Sequence, residues 1–275
     1  MTENIDNLTV NGFGDEWSRF DQSALSGKEL QALFDAYFSI FPWQDLPENP
    51  VGFDLGCGSG RWARLVLPRV GMLHCIDPSD AIDVAHRNLA NFANVAFHRA
   101  PSHAIPIADN SMDFGYSLGV LHHIPDTGQA MRDAARKLKP GAPFLVYLYY
   151  RFDDRPAWFR GLWRISDVIR RRVAKLPHGT RYWVTQVIAL VVYLPLSTTA
   201  RWAERLGVRV ANWPLSSYRN LSFYTQRTDA LDRFGTALEQ RFTRTEIVAM
   251  MVEAGLRDIR LSDREPFWCA VGIKT

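Results

Sequence analysis

Cysteine, net charge and long apolar runs are all scarce in this 275-residue chain. Its three cysteines, Cys57, Cys75 and Cys269, lack metal-ligand spacing, so no metal site is expected. An odd count without a disulfide framework fits a reducing compartment. Cys57 and Cys75 fall in or beside expected strands, where a thiol packs as a small apolar group. A net charge of +3 argues against bulk nucleic-acid binding on totals alone. The segment Met1–Asp6 is polar and acidic with no signal-peptide core, so a cytoplasmic location is expected. The most apolar stretch, Tyr182–Ser197, is shorter than the ~20 residues of a spanning helix and is interrupted by Gln186 and Pro195. Internal repeats and low-complexity segments are absent.

What is present is ordinary globular composition, 47% apolar and 22% charged. The length favours one domain carrying an insertion or a small cap. Charge is unevenly spread. Arg151 to Arg209 holds twelve Lys and Arg against Asp153, Asp154, Asp167 and Glu204. That local surplus of eight exceeds the total of +3, so a basic module sits within an acidic body.

Strand and helix patterns alternate between Pro50 and Tyr150. Strands are expected at Val51–Leu55, Met72–Ile76, Val95–Arg99, Met112–Leu118 and Pro143–Leu148. Helices are expected at Gly60–Pro68, Ala81–Phe92 and Gly128–Leu138. Asn11–Pro47 reads as helical ahead of them. After the basic module, Thr243 and Glu246 form a capping-box pattern opening a helix that Gly255 ends. Arg257–Leu261 and Phe267–Ile273 then read as two last strands. The expected fold class is α/β: a Rossmann-like, doubly wound, mostly parallel seven-stranded sheet with a helical insertion after strand 5. The expected division is an N-terminal helical lid at 1–47, a core at 48–150, a basic and aromatic cap at 151–240, and a closing helix with antiparallel strands at 241–275.

The most informative stretch is Asp54-Leu55-Gly56-Cys57-Gly58-Ser59-Gly60, at a strand-to-helix turn. Alternate glycines let the backbone turn tightly and come close to a ligand. An acidic residue at the strand end suits a positive or hydroxylated ligand without a pyrophosphate. The spacing lacks the G-x-x-G tail of the dinucleotide fingerprint. Asp77 ends the second strand, where a carboxylate can accept hydrogen bonds from ribose hydroxyls. Downstream stand Ile105-Pro106-Ile107 with Asp109–Asp113, then Leu118-Gly119-Val120-Leu121-His122-His123-Ile124, then Leu138-Lys139-Pro140-Gly141. In that order, these motifs resemble the class I S-adenosylmethionine (SAM)-dependent methyltransferases, in particular the small-molecule enzymes of the type 11 and ubiquinone-biosynthesis kind.

The resemblance implies SAM as cofactor and S-adenosylhomocysteine as product. It places Asp54, Gly56, Cys57, Gly58, Asp77, Pro78, Ser102 and Leu118 around the cofactor. Asp54 would orient the methionine amino group and Asp77 the ribose. The family's adenine-contacting Asp is replaced by Pro101, so Ser102 or a nearby carbonyl is expected in its role. The aromatic loop of base methyltransferases after the fourth strand is absent, so no DNA partner is expected.

Methyl transfer to oxygen also needs a base, and histidine suits neutral pH. His122 and His123 are the candidates, with His103 less well placed; a purely structural role for the pair remains open. Asn11–Phe20 resembles an aromatic segment ahead of the fold in some of these enzymes. It reads equally as a lid and as a helix packed on the sheet edge, and it makes Trp17 and Arg19 candidates for the acceptor side. Arg219 and Tyr224, in the aromatic cap, are further substrate candidates, while Arg170–Arg172 reads as a solvated face. A small-molecule acceptor is expected, with O-methylation as the leading chemistry. A lipid- or quinone-associated enzyme and a non-catalytic SAM-binding partner are the alternatives. A peripheral membrane contact through 182–197 and a homodimer are both compatible with the pattern.

Overall fold

The computed structural model describes residues 3–22, 24–152, 155–210, 212–266 and 268–275. Met1, Thr2, Asp153, Asp154 and Phe267, used above, lie outside the described residues.

The helices are α1 (Asn7–Arg19), α2 (Gly27–Tyr37), α3 (Ala63–Val66), α4 (Ala81–Asn88), α5 (Thr127–Ala135), α6 (Ala157–Val173), α7 (His178–Ile188), α8 (Leu194–Arg205), α9 (Phe223–Gly235) and α10 (Arg244–Glu253). The strands are β1 (Val51–Leu55), β2 (Met72–Ile76), β3 (Val95–His98), β4 (Phe114–Leu118), β5 (Pro143–Tyr147), β6 (Leu256–Leu261) and β7 (Cys269–Lys274). They form one seven-stranded sheet in the order β3-β2-β1-β4-β5-β7-β6. β1 to β5 run parallel, while β7 is antiparallel to both β5 and β6. The chain leaves β1 in one direction and returns to β4 on its other side. That places a switch point between them, where a doubly wound sheet opens a crevice at the carboxyl ends.

Two compact units result. One comprises Met1–Gln22, Gln31–Arg151 and Leu238–Thr275; the other comprises Ser23–Leu30 and Phe152–Ala237. The expected boundary at 47 therefore differs at 23–30. The reason is Glu29, whose Oε1 accepts from the Ser222 amide (2.9 Å) and the Thr225 hydroxyl (2.7 Å). A carboxylate at the start of α9 satisfies one backbone N–H there and suits the helix dipole. α3 also ends sooner than expected, passing into a 3-10 turn at Leu67–Arg69. The capping box on α10 is present in full, with Thr243 and Glu246 bonding reciprocally.

The second unit has its own core of Val173, Ala189, Tyr193, Tyr218, Ala230 and Phe234. Arg170 departs from the expected solvated face. It is buried, donating to Asp167 (2.8 Å) and to the Thr236 carbonyl (2.9 Å). The apolar stretch is also longer than expected. α7, a π turn at Ala189–Tyr193 and α8 form one helix, His178–Arg205, of 28 residues, long and apolar enough to cross a membrane by length and composition. Pro195 follows the π turn, where the backbone repeat is already shifted, and does not break it.

The centre of the sheet is interlocked. Gly52 of β1 stands opposite Phe114 of β4, and Phe53 opposite Gly115. A Cβ on Gly52 would lie 2.3 Å from the Phe114 ring, and one on Gly115 2.3 Å from the Phe53 ring. Each ring fills the space its partner lacks. Gly52→Ala is therefore expected to destabilise the protein by about 2 kcal/mol or more, as overpacking of a dense core does. Urea denaturation checks this; an unchanged midpoint would refute it.

Candidate functional site

β1 ends at Asp54-Leu55, and the glycine loop follows. Gly56 (φ +78°) takes a left-handed conformation that disfavours any side chain. A Cβ there would also lie 2.4 Å from the Val120 methyls. The Gly56 and Cys57 amides donate to the Ile76 carbonyl (2.7 and 3.1 Å). The Gly58 amide donates to Asp77 Oδ2 (3.0 Å), while Asp77 Oδ1 accepts from the amide and hydroxyl of Ser79 (2.9 and 2.6 Å). Asp77 is thus buried and holds the loop to β2, with both lone pairs of Oδ1 engaged and one site still open on Oδ2. Burial pushes its pKa up, opposed by those Ser79 and Gly58 donors and by Arg99.

Several buried polar atoms of the loop and of the turn after β3 have no well-formed hydrogen bond among the described residues. They are Asp54 Oδ2, Ser59 Oγ and Ser102 Oγ. Burial raises the Asp54 pKa to about 8, with the nearby Tyr116 hydroxyl opposing and Asp77 adding to the rise. A buried carboxyl left in this state is the complement of a cationic ligand. Cys57 is buried, and its burial raises the thiol pKa well above the usual range, so it packs rather than reacts. Leu118 is buried at the end of β4, and Pro78 is half-buried beside Asp77.

α1 covers the carboxyl ends, not the sheet edge. Its Phe13 ring meets His123 edge-on at 5.0 Å. One turn on, Trp17 lies over Gly58, where a Cβ would come within 3.1 Å of the indole nitrogen. Asn4 fastens the segment ahead of α1 by two hydrogen bonds to the Asp126 backbone (2.8 and 2.9 Å). Arg19 points elsewhere, exposed and paired with Asp15 at 2.9 Å.

The two histidines differ sharply. His122 is fully buried between Tyr149 (3.9 Å between ring centroids) and His123 (4.1 Å). Neither of its nitrogens has a hydrogen-bond partner among the described residues. Burial, then the neighbouring His123 and Arg241, hold its pKa well below the ordinary value, so the ring is neutral. His123 Nδ1 lies 2.7 Å from the Leu238 carbonyl. A carbonyl only accepts, so Nδ1 donates there, and in the neutral ring Nε2 is the acceptor. That Nε2 is buried and has no hydrogen-bond partner among the described residues.

The segment after the second unit supplies residues that pattern reading missed. Gln240 donates from its amide to the His122 carbonyl (3.0 Å) and from Nε2 to the Ile124 carbonyl (2.7 Å). Glu239 and Arg241 flank it as a buried ion pair (2.8 Å), and the Arg241 guanidinium lies 5.1 Å from the Tyr149 ring centroid. Their i, i+2 spacing, which puts both on one face of an extended strand, was the available signal. Arg219 and Tyr224 belong to the second unit. There Arg219 is paired with Glu204 at 2.9 Å, and Arg227 donates to Gln186 and Tyr182.

Comparison with known proteins agrees with this geometry. Residues 53–146 match the family model of the methyltransferase domain. A 27-O-demethylrifamycin SV methyltransferase of Amycolatopsis mediterranei is 35% identical over 44% of this chain and 45% of its own length. A sterol 4-C-methyltransferase of Caenorhabditis elegans is 28% identical over 46% of this chain and 40% of its own. The chain thus matches less than half the length of these curated relatives. An O-methyltransferase family protein from Burkholderia thailandensis shares the fold, with TM-score 0.56 and 14% identity over 94% of this chain and 59% of that one.

The Asp54 pKa generates a test. An acidic group held protonated below pH 8 must lose its proton to pair with a cation. Affinity for SAM should then rise with pH, by up to about tenfold per unit, and level off above pH 8. Titration calorimetry across pH 6–9, with Asp54→Asn as the pH-independent control, checks the slope; a flat profile for the native protein would refute it. Sheet order, loop geometry and the matched segment converge: residues 53–146 carry a methyltransferase domain.

Proposed function

We propose that the protein transfers the methyl group of SAM to a hydroxyl of a small-molecule acceptor, with His123 as the base. The observation that carries this reading is the buried His123 Nε2 beyond β4, without a hydrogen-bond partner among the described residues while Nδ1 is held by the Leu238 carbonyl. The buried polar atoms at Asp54, Ser59 and Ser102 suit the cofactor. When bound, SAM supplies an electrophilic methyl on a sulfonium.

The chain's part is to bind, align and keep water out. Asp54 would receive the ammonium, and Asp77 would offer the open site on Oδ2 to the ribose. Ser102 Oγ, buried and without a hydrogen-bond partner among the described residues, would serve the adenine in place of the missing carboxylate. Phe13 and Trp17 close over the reacting groups. His123 Nε2 would take the acceptor's proton as its oxygen bonds the methyl carbon and the carbon–sulfur bond breaks, leaving S-adenosylhomocysteine, while the Leu238 carbonyl steadies the ring. The relatives' names span a sterol and an oxygen-methylated rifamycin, which supports a small organic acceptor and leaves its skeleton open. A second reading, an acceptor drawn from a lipid phase, is favoured by the exposed apolar face of the helix His178–Arg205.

Calorimetric titration with SAM, followed by S-adenosylhomocysteine formation over a panel of hydroxylated acceptors, tests the proposal. No SAM binding sinks it; binding without turnover on any acceptor would leave a SAM-binding partner instead. His123→Ala should lower kcat about 100-fold or more while the SAM Kd stays within about twofold. His122→Phe, which keeps an unpartnered ring in an apolar slot, should retain kcat within about tenfold. Equal losses in the two variants would remove His123 from its role.

A further inference from the structure

We infer that the helix His178–Arg205 seats the protein on an anionic membrane surface, lying in the plane of the interface. From Tyr182 to Ala200 there are nineteen residues and no charge. As helix that is about 28 Å of uncharged surface.

This helix lacks the polar outward face of one that covers a soluble core. Its inward stripe, Arg181, Thr185, Ala189, Tyr193 and Ser197, recurs every fourth residue and mixes polar groups with the Ala189 and Tyr193 of the unit's core. Four residues overshoot one α turn, so the stripe should drift around the axis. The π turn at Ala189–Tyr193 takes more residues per turn and brings it back. The outward face is apolar: Trp183, Val187, Leu190 and Val191 are 69%, 54%, 54% and 59% exposed. Less than a third of the most apolar window is buried.

Charge identifies the occupant. Residues 171–210 contain seven Lys and Arg and one acid, Glu204. None of the seven falls within 182–200, so the basic groups bracket the apolar face. Exposed tryptophans, Trp183 and Trp202, stand at its two ends. An apolar stripe with aromatic ends and cationic flanks matches the layering of an anionic lipid interface. A second copy docked face to face would bring basic ends together in either orientation.

The inward stripe decides between lying on the bilayer and crossing it. Ser197 Oγ bonds Gln226 at 3.2 Å, and Arg227 donates to Gln186 and to the Tyr182 hydroxyl. Crossing would strip those partners away; lying flat leaves them intact.

Vesicle flotation of the full chain tests this, using phosphatidylcholine alone and phosphatidylcholine mixed with phosphatidylglycerol. The native protein should float with the anionic vesicles, at least tenfold more than with neutral ones, and less as salt rises. Val187→Asp with Val191→Asp should lower that binding at least tenfold, with the melting temperature and SAM titration unchanged. Failure of the native protein to float, or equal flotation of the double variant, overturns the inference. So does a concentration-dependent dimer that the double variant abolishes while anionic vesicles leave the native protein unbound. The inference does not rest on methyl transfer, because flotation is read whether or not SAM binds.

Discussion

The hydrogen bond from the Gly58 amide to Asp77 Oδ2 joins the two strand ends on which the site depends. With the Gly56 and Cys57 amides on the Ile76 carbonyl, it turns a potentially mobile glycine loop into a fixed extension of β1 and β2. Everything oriented by the loop inherits that rigidity. Trp17 rests on Gly58, and Ser79, the other partner of Asp77, donates to Asp77 and accepts from the Ala81 amide at the start of α4. The arrangement also crowds two carboxyls, Asp54 and Asp77, into one buried corner. The loop is mechanically complete and electrostatically unfinished, which is the state expected of a preformed site for a cation.

A second support comes from far along the chain. The backbone of 238–242 runs beside the turn after β4 and the end of β5, with Phe242 donating to the Tyr149 carbonyl and Arg151 to Phe242. The carbonyl that sets the His123 tautomer belongs to this segment. The protonation pattern of a residue after β4 is therefore set by chain that returns only after the whole second unit. The buried Glu239–Arg241 pair fixes the segment's orientation, since neither charge could be left alone at that depth.

The sheet and the cofactor loop were legible because local chemistry specifies them. Alternate glycines admit few backbone paths, Asp77 ends a strand, and Thr243 with Glu246 caps a helix whatever the surroundings. What was not legible depends on depth. Arg170 and Arg241 look like surface residues until their buried partners, Asp167 and Glu239, are seen beside them. His122 and His123 are identical letters in adjacent positions, and only the Leu238 carbonyl and the Tyr149 ring tell them apart. Glu29 was assigned to the lid because nothing near it in sequence announces its bonds to Ser222 and Thr225.

The reciprocal Gly and Phe pairs at the centre of the sheet carry one more consequence. Each ring occupies a notch on the neighbouring strand, so β1 cannot slide by a residue against β4 without bringing ring onto ring. The pairs act as a key that fixes the pairing of the two strands flanking the crevice. They also tie the four positions together: a larger residue at 52 becomes tolerable only with a smaller one at 114, and likewise for 115 and 53. Substitutions here should be compatible in exchange and incompatible singly. The distance between Asp54 and Leu118 across the switch point is thereby specified by volume, independently of any ligand.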